Sequence, residues 1–308
     1  MYSTSLLRHT PAFVRHAAKM LNTRQGLQQQ ILGAPPAEAG LSAVLLPIAE
    51  SSTVNGAGKG PCLLFNKRSA HIRQPGDLCF PGGSVSCPTD RLLAKVLALP
   101  LLPLARWRAW SRLRRKDPAA ARRIAIGVAT GLRESFEEMH LNPFGVRVIA
   151  ALPLEKLIMF RRSIFPVAVW ISRQRRFFPN SEVEKIIYVP LVRFLNPQHY
   201  LRYRVRYAHL PAEKRARRTE DFPCFRLQTG DGSELLWGAT YRITMAFLKA
   251  VLGFEPPPPA SRPVVIRSLD RAYLTGPRPQ LAQKKKHPLP SAGAALIDER
   301  FPAMLRLP

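Results

Sequence analysis

Glu134, Glu137 and Glu138 stand at i, i+3 and i+4 in the stretch GLRESFEEMHL, residues 131–141. On a helix that spacing puts three carboxylates on one face, where like charges repel by a few tenths of a kcal/mol per pair. The chain has 20 Asp and Glu against 47 Lys and Arg, so crowding three acids together is a costly use of scarce residues. A hard divalent cation removes the cost, because it takes carboxylate oxygens and shares its other positions with water and substrate phosphate. Arg133, directly before the first glutamate, supplies a counter-charge. The plainer alternative is a solvated acidic face paired with neighbouring arginines. Upstream, residues 79–90 read CFPGGSVSCPTD, in which Gly82 and Gly83 permit a tight turn and a close backbone approach.

The glutamates need a helix, and the sequence signals one. Asp117-Pro118 offers an N-cap and a proline at the first helical position, and the pattern runs on through AAARRIAIGVATGLRESFEEMH. It stops before Asn142-Pro143. Apolar runs at 42–48 and 62–68 predict strands, with a short strand at 78–80 leading into the glycine turn. Further strands are predicted at 146–152, 164–171 and 186–190. A hairpin should pair 224–228 with 234–237, and a last amphipathic helix should cover 239–252.

Residues 1–37 read as a basic, helical N-terminal extension. Residues 38–254 form an α/β (α+β) domain. The proline-rich and lysine-rich stretch 255–308 predicts an extended, disordered tail.

The quartet Arg133, Glu134, Glu137 and Glu138, preceded by Phe80-Pro81-Gly82-Gly83, resembles the signature of the Nudix hydrolases, Gly-x5-Glu-x7-Arg-Glu-U-x-Glu-Glu-x-Gly-U with U apolar. Gly83 takes the place of the opening glycine and Leu141 the last apolar place. Ser135 stands at an apolar position, and His140 replaces the glycine that ends the helix. Thr89 occupies the place of the first glutamate, with Asp90 one step later, and the loop before the helix is much longer than the pattern allows.

The block LLFNKRSAHIRQPGDLCFPGG is similar to that of the coenzyme A pyrophosphatase branch, which often carries Asp at the position of Asp90. The segments PNSEVEKIIYVPL and LLWGATYRI match the same branch further on. The resemblance implies an α/β/α sandwich with a mixed central sheet. It implies Mg²⁺ or Mn²⁺ held by Glu134, Glu137 and Glu138, with Arg133 orienting these carboxylates. Glu182, with Glu184 behind it, is the candidate for a distant base or ligand. Arg68 and Arg73 are candidates for the substrate's phosphates, beside Gly82 and Gly83; ordinary surface cations is their other reading. His71 and His140 have no partner at metal-ligand spacing.

The implied reaction is hydrolysis of the diphosphate in coenzyme A or acyl-CoA, giving 3′,5′-ADP and a phosphopantetheine product. ADP-ribose, NADH or a capped RNA end are alternative nucleoside diphosphate substrates. A further alternative is a non-catalytic relative that binds nucleic acid or a membrane surface.

A formal charge of +27 points to polyanionic partners without choosing among them. Within the insertion 91–118, Trp107 and Trp110 alternate with arginines. That segment reads as a basic helix on acidic membrane, a nucleic-acid contact, or a lid whose aromatic side packs on its own domain. Cys62, Cys79, Cys87 and Cys224 form no CxxC pair, which predicts reduced, mostly buried thiols in a cytoplasmic protein. No apolar segment reaches the roughly 18 residues that span a bilayer. The first acid is Glu38, after Arg8, Arg15, Lys19 and Arg24, so an organelle transit segment is the alternative address.

Overall fold

The computed structural model describes residues 6–34, 40–51, 59–157, 162–207, 219–230 and 232–276. Helices α1 (Thr10–Leu21) and α2 (Arg24–Leu32) come first, then strands β1 (Leu41–Ser51), β2 (Gly60–Arg68), β3 (Leu78–Cys79) and β4 (Gly82–Ser84). Helices α3 (Cys87–Leu97), α4 (Trp110–Lys116) and α5 (Pro118–Met139) follow the glycine turn. Next are β5 (Val146–Ala151), β6 (Glu155–Lys156), β7 (Ser163–Ile171) and β8 (Val183–Pro190). The remaining elements are β9 (Tyr200–Tyr207), β10 (Thr219–Thr229), β11 (Gly232–Trp237), α6 (Gly238–Leu252), β12 (Val264–Leu269) and α7 (Arg271–Thr275).

The apolar runs of β1 and β2 are buried on both faces, and this dictates three layers. Leu46, Ile48, Leu63 and Phe65 point into one core, which α1 and α6 cover with Phe13, Phe247 and Leu248. Ala43, Leu45, Cys62 and Leu64 point into the other, which α5 covers with Ile124, Val128 and Leu132. Helix and sheet approach closely there: a Cβ at Gly127 would lie 2.4 Å from the Phe165 ring.

Among the described residues the main sheet runs β3-β2-β1-β7-β5, with β8 on β2, β4 on β1 and β6 on β7. Only the β1–β7 pairing is parallel, so the sheet is mixed. The expected α/β/α sandwich is the arrangement found. The predicted 224–228/234–237 hairpin lies in a second sheet, β11-β10-β9-β12, in the register Cys224↔Trp237.

Helix α5 starts as its sequence signals: Asp117 Oδ1 accepts from the Ala120 amide at 2.8 Å, with Pro118 next. The lengthened loop is not loose. α3 and α4 lie along α5, and Trp107 and Trp110 are 3% and 7% exposed. The Trp107 indole donates to the Ile149 carbonyl at 2.8 Å, while Arg106, Arg108, Arg112, Arg114 and Arg115 face water. The insertion therefore packs its aromatic side on its own domain.

The tail expected to be disordered from residue 255 needs correction. β12 pairs in parallel with β9 from Val264↔Arg202 to Leu269↔Tyr207, and Leu269 and Tyr273 are buried beside Tyr203 and Val205. The short apolar run within the proline-rich stretch closes what would otherwise be an open strand edge. Residues 277–308 lie outside the described residues. No helix among the described residues is long and apolar enough to cross a membrane.

Candidate active site

The last two turns of α5 carry Arg133, Glu134, Glu137 and Glu138 beneath the glycine turn at β4. Glu134 rests directly on Gly83, where a Cβ would come within 2.4 Å of its carboxyl carbon. Gly82 has φ of +150°, and a Cβ there would strike the Ala43 carbonyl at 2.2 Å. The first glycine thus serves the fold and the second makes room for a carboxylate.

Asp90, 0% exposed, anchors the arginine. It accepts from Arg133 Nε at 2.8 Å, from the Thr130 hydroxyl at 2.8 Å and from the Ser86 amide at 2.6 Å. Arg133 Nη1 then lies 2.9 Å from Glu134 Oε1 and 3.3 Å from Glu137 Oε1, holding both on one side. Glu138 is different: it has no ion-pair partner among the described residues. Asn66 Nδ2 donates to its Oε2 at 2.8 Å, and the Gly82 backbone adds a further bond. Burial pushes the Glu138 carboxyl up to about 8, against the lowering effect of the Asn66 bond, and also raises Glu134.

Among the described residues no three Asp, Glu, His or Cys side chains close into a ready-made metal cage. The donor set nevertheless fits a hard divalent ion. All three side chains offer carboxylate oxygen, and the half-buried Glu138, with no ion-pair partner among the described residues, is short of positive charge. An approaching cation would offset the desolvation that keeps this group protonated.

Both departures at the helix end have local explanations. The buried Ser135 hydroxyl donates to the Gly131 carbonyl at 2.6 Å, so no polar group is stranded. His140 adopts the left-handed conformation that a terminal glycine would take, with φ of +54°. Its ring Nδ1 lies 2.8 Å from the Phe178 carbonyl oxygen, and its own carbonyl accepts from Gln174.

A cleft of about 420 Å³ opens beside Gly82 and Gly83. Arg68, Arg73, Arg162 and Arg242 line it, together with Asp77, Trp237 and Phe80. Arg68 and Arg73 therefore share a cleft with the glycine turn. The Arg68 Nε donates to the Arg73 carbonyl at 2.7 Å, which ties the loop between them.

Glu182 is exposed on a loop joined to the helix by the Asn180 amide, which donates to the Glu138 carbonyl at 2.9 Å. Its own carbonyl accepts from the Ser69 amide, so the backbone is tied beside the cluster. Glu184 is drawn off to Lys67 at 3.0 Å. His71 is exposed. Cys62, Cys79 and Cys224 are unbridged, and burial pushes each thiol up to about 12.

Two contributors escape sequence reasoning. Asn66 sits in a strand that reads as core, and nothing local marks its contact with Glu138. Asp77 is the second: partly buried at the cleft, it is bonded to Tyr273 and paired with Arg267 at 3.4 Å, both in the C-terminal stretch.

Comparison with known proteins found no matching family model. The chain is 29% identical over 140 residues to the peroxisomal coenzyme A diphosphatase NUDT7 of Mus musculus, covering 45% of this chain and 44% of that protein. It is 30% identical over 153 residues to the uncharacterized Nudix hydrolase NudL of Pectobacterium atrosepticum, covering 49% and 57%. The chain thus spans about half the length of the curated relatives it matches. Among solved structures, a MutT/nudix family protein from Enterococcus faecalis aligns with 78% of this chain and 73% of its own, at 10% identity and a TM-score of 0.35. An Ap4A hydrolase from C. elegans aligns with 50% and 81%, at 11% identity and a TM-score of 0.30.

Proposed function

The chain belongs to the Nudix hydrolase family and is similar to its coenzyme A diphosphatase branch, and from that premise we propose that it hydrolyses the diphosphate of coenzyme A or an acyl-CoA. The products are 3′,5′-ADP and phosphopantetheine or its acyl form. One observation carries the reading. The arginine-lined cleft opens at the same glycine turn that Glu134 rests on, so phosphate recognition and the carboxylates meet at one place. Coenzyme A carries a 3′-phosphate besides its diphosphate, which suits a cleft with four arginines.

Glu134, Glu137 and Glu138 are the residues that would hold Mg²⁺ or Mn²⁺. When bound, the ion lowers the pKa of a water and withdraws charge from the phosphoryl oxygens. Arg133, fixed by Asp90, keeps Glu134 and Glu137 on one side of the helix. Asn66 and the Gly82 backbone hold the Glu138 carboxylate in place. Arg68 and Arg73 bind the terminal phosphates and orient the diphosphate toward the glycine turn. Glu182, on the exposed loop tied to the Glu138 carbonyl through Asn180, takes the proton of the attacking water as the water oxygen bonds to phosphorus and the bridging P–O bond breaks.

The test is incubation with Mg²⁺ and, separately, coenzyme A, ADP-ribose, NADH and capped RNA, alongside a Glu137→Gln control. Release of 3′,5′-ADP from coenzyme A by the wild type alone is the expected result. Equal turnover by the control sinks the enzyme reading. Cleavage of another diphosphate with coenzyme A left intact sinks only the substrate.

A further inference from the structure

A cavity of about 840 Å³ shares no lining residue with the cleft at Gly83. Its walls come from α1, the insertion and the β5–β7 edge. Six cations line it, namely Arg15, Lys19, Arg106, Arg108, Arg112 and Arg147, and no carboxylate does. None of the six is ion-paired among the described residues. Some cations elsewhere do find acids: Lys67 with Glu184 and Glu234, Arg204 with Asp221, Arg242 with Glu155. Six unpaired like charges around one hollow repel one another, and a polyanion is what relieves that.

The hollow also continues. At Arg112 it meets a second cleft of about 520 Å³, lined by Arg24, Arg115 and Lys116 above the apolar side chains of Leu27, Ile31 and Leu113. Through that shared wall the two clefts form one basic groove. Along it, Arg147 lies 5.5 Å from the centre of the half-buried Trp170 ring, presenting a flat cation against an aromatic surface. Backbone-tracking cations with planar groups beside them are how single strands are held without sequence preference. A membrane fits less well. Both insertion tryptophans are used inside the fold, and a flat bilayer cannot follow cations set in a concavity.

We propose that the groove between α1, the insertion and β5 binds a single-stranded nucleic acid through its phosphates. The site stands apart from the diphosphate cleft and does not depend on the substrate assigned there.

The experiment uses the full chain and a fluorescein-labelled oligouridylate, followed by anisotropy over a series of salt concentrations. The triple variant Lys19→Glu, Arg108→Glu, Arg147→Glu should weaken binding by about tenfold or more. It should also flatten the plot of log affinity against log salt by about 0.7 for each phosphate left without its cation. Arg173→Glu, an exposed charge reversal outside the groove, should change little. Turnover of the diphosphate substrate should be unaltered in both. Should the triple variant melt early, Arg108→Glu alone replaces it, with a proportionately smaller effect. Equal binding by wild type and groove variant overturns the proposal, as does no binding at about 0.1 M salt. So does groove-dependent binding of phosphatidylserine vesicles in place of the strand.

Discussion

Arg133 Nε donates to the buried carboxylate of Asp90 at 2.8 Å, joining the residue before the insertion to the helix beyond it across 43 residues of sequence. Because the same guanidinium holds Glu134 and Glu137, the bond fixes the carboxylate face of α5 from outside the helix. Asp90→Asn keeps the shape but loses the charge. Its stability should fall by about 1.5–3 kcal/mol, the worth of hydrogen bonds to charged groups, as read by urea unfolding. kcat should drop on the order of tenfold or more with KM nearly unchanged, since the arginines proposed to bind the diphosphate are untouched.

Gly82 and Gly83 should respond differently to alanine. At Gly83 the new methyl meets the end of the Glu134 side chain, which can swing aside. Gly83→Ala should therefore melt near the wild-type temperature while losing activity on the order of 100-fold, because metal-assisted stabilisation is worth several kcal/mol. At Gly82 the methyl meets the Ala43 carbonyl and the backbone is in a glycine region. Gly82→Ala should destabilise the fold itself. Calorimetry and a diphosphate assay on both variants check the contrast.

Glu138 sets a pH dependence whose sign is opposite to that of a salt-bridged acid. Burial holds its proton to about pH 8 in the folded chain, whereas an ordinary glutamate loses it near 4.5. The unfolded state thus releases a proton that the folded state keeps. Its contribution to stability is complete below 4.5 and is lost as pH rises through 8. With a chelator present, the melting temperature should fall over that window, and Glu138→Gln should flatten the fall. Divalent ions bind the ionised form, so they should raise the melting temperature of the wild type and release protons below about pH 8. Proton release is read by calorimetry in buffers of different ionisation enthalpy.

Much of the site is legible in the sequence because it is local. The i, i+3, i+4 glutamates, the Asp117-Pro118 start and the alternating strand residues are all short-range patterns. Asn66 is not local: 72 residues separate it from Glu138, and a buried strand asparagine carries no periodic mark. α3 is hidden because the prolines that break the apolar run at 96–105 fall beyond its end at Leu97. Ser135 and His140 look like defects in sequence, and only the Gly131 and Phe178 carbonyls show how each is accommodated. β12 escapes for the reverse reason. Compositional bias toward proline outweighs a short apolar alternation that becomes meaningful only beside the open edge of β9.

The C-terminal stretch that carries β12 and α7 also reaches the cleft proposed to bind the diphosphate. The Tyr273 hydroxyl donates to Asp77, and the Gln74 amide donates to the Tyr273 carbonyl at 2.9 Å. The loop bearing Arg68 and Arg73 is thus held from the C-terminal side. Arg267, paired with Asp77, and Tyr273 both counter the burial that raises the Asp77 carboxyl. Tyr273→Phe removes one bond, exposes little surface and leaves the glutamates alone. It should raise KM for the diphosphate several-fold, with kcat kept within about twofold, because positioning a binding loop affects ground state and transition state alike. Arg267→Ala should add to it less than multiplicatively, since both act through Asp77. Steady-state kinetics on the single and double variants provide the check. An unchanged KM in all three would detach the C-terminal stretch from the cleft and leave it a purely structural cover for β9.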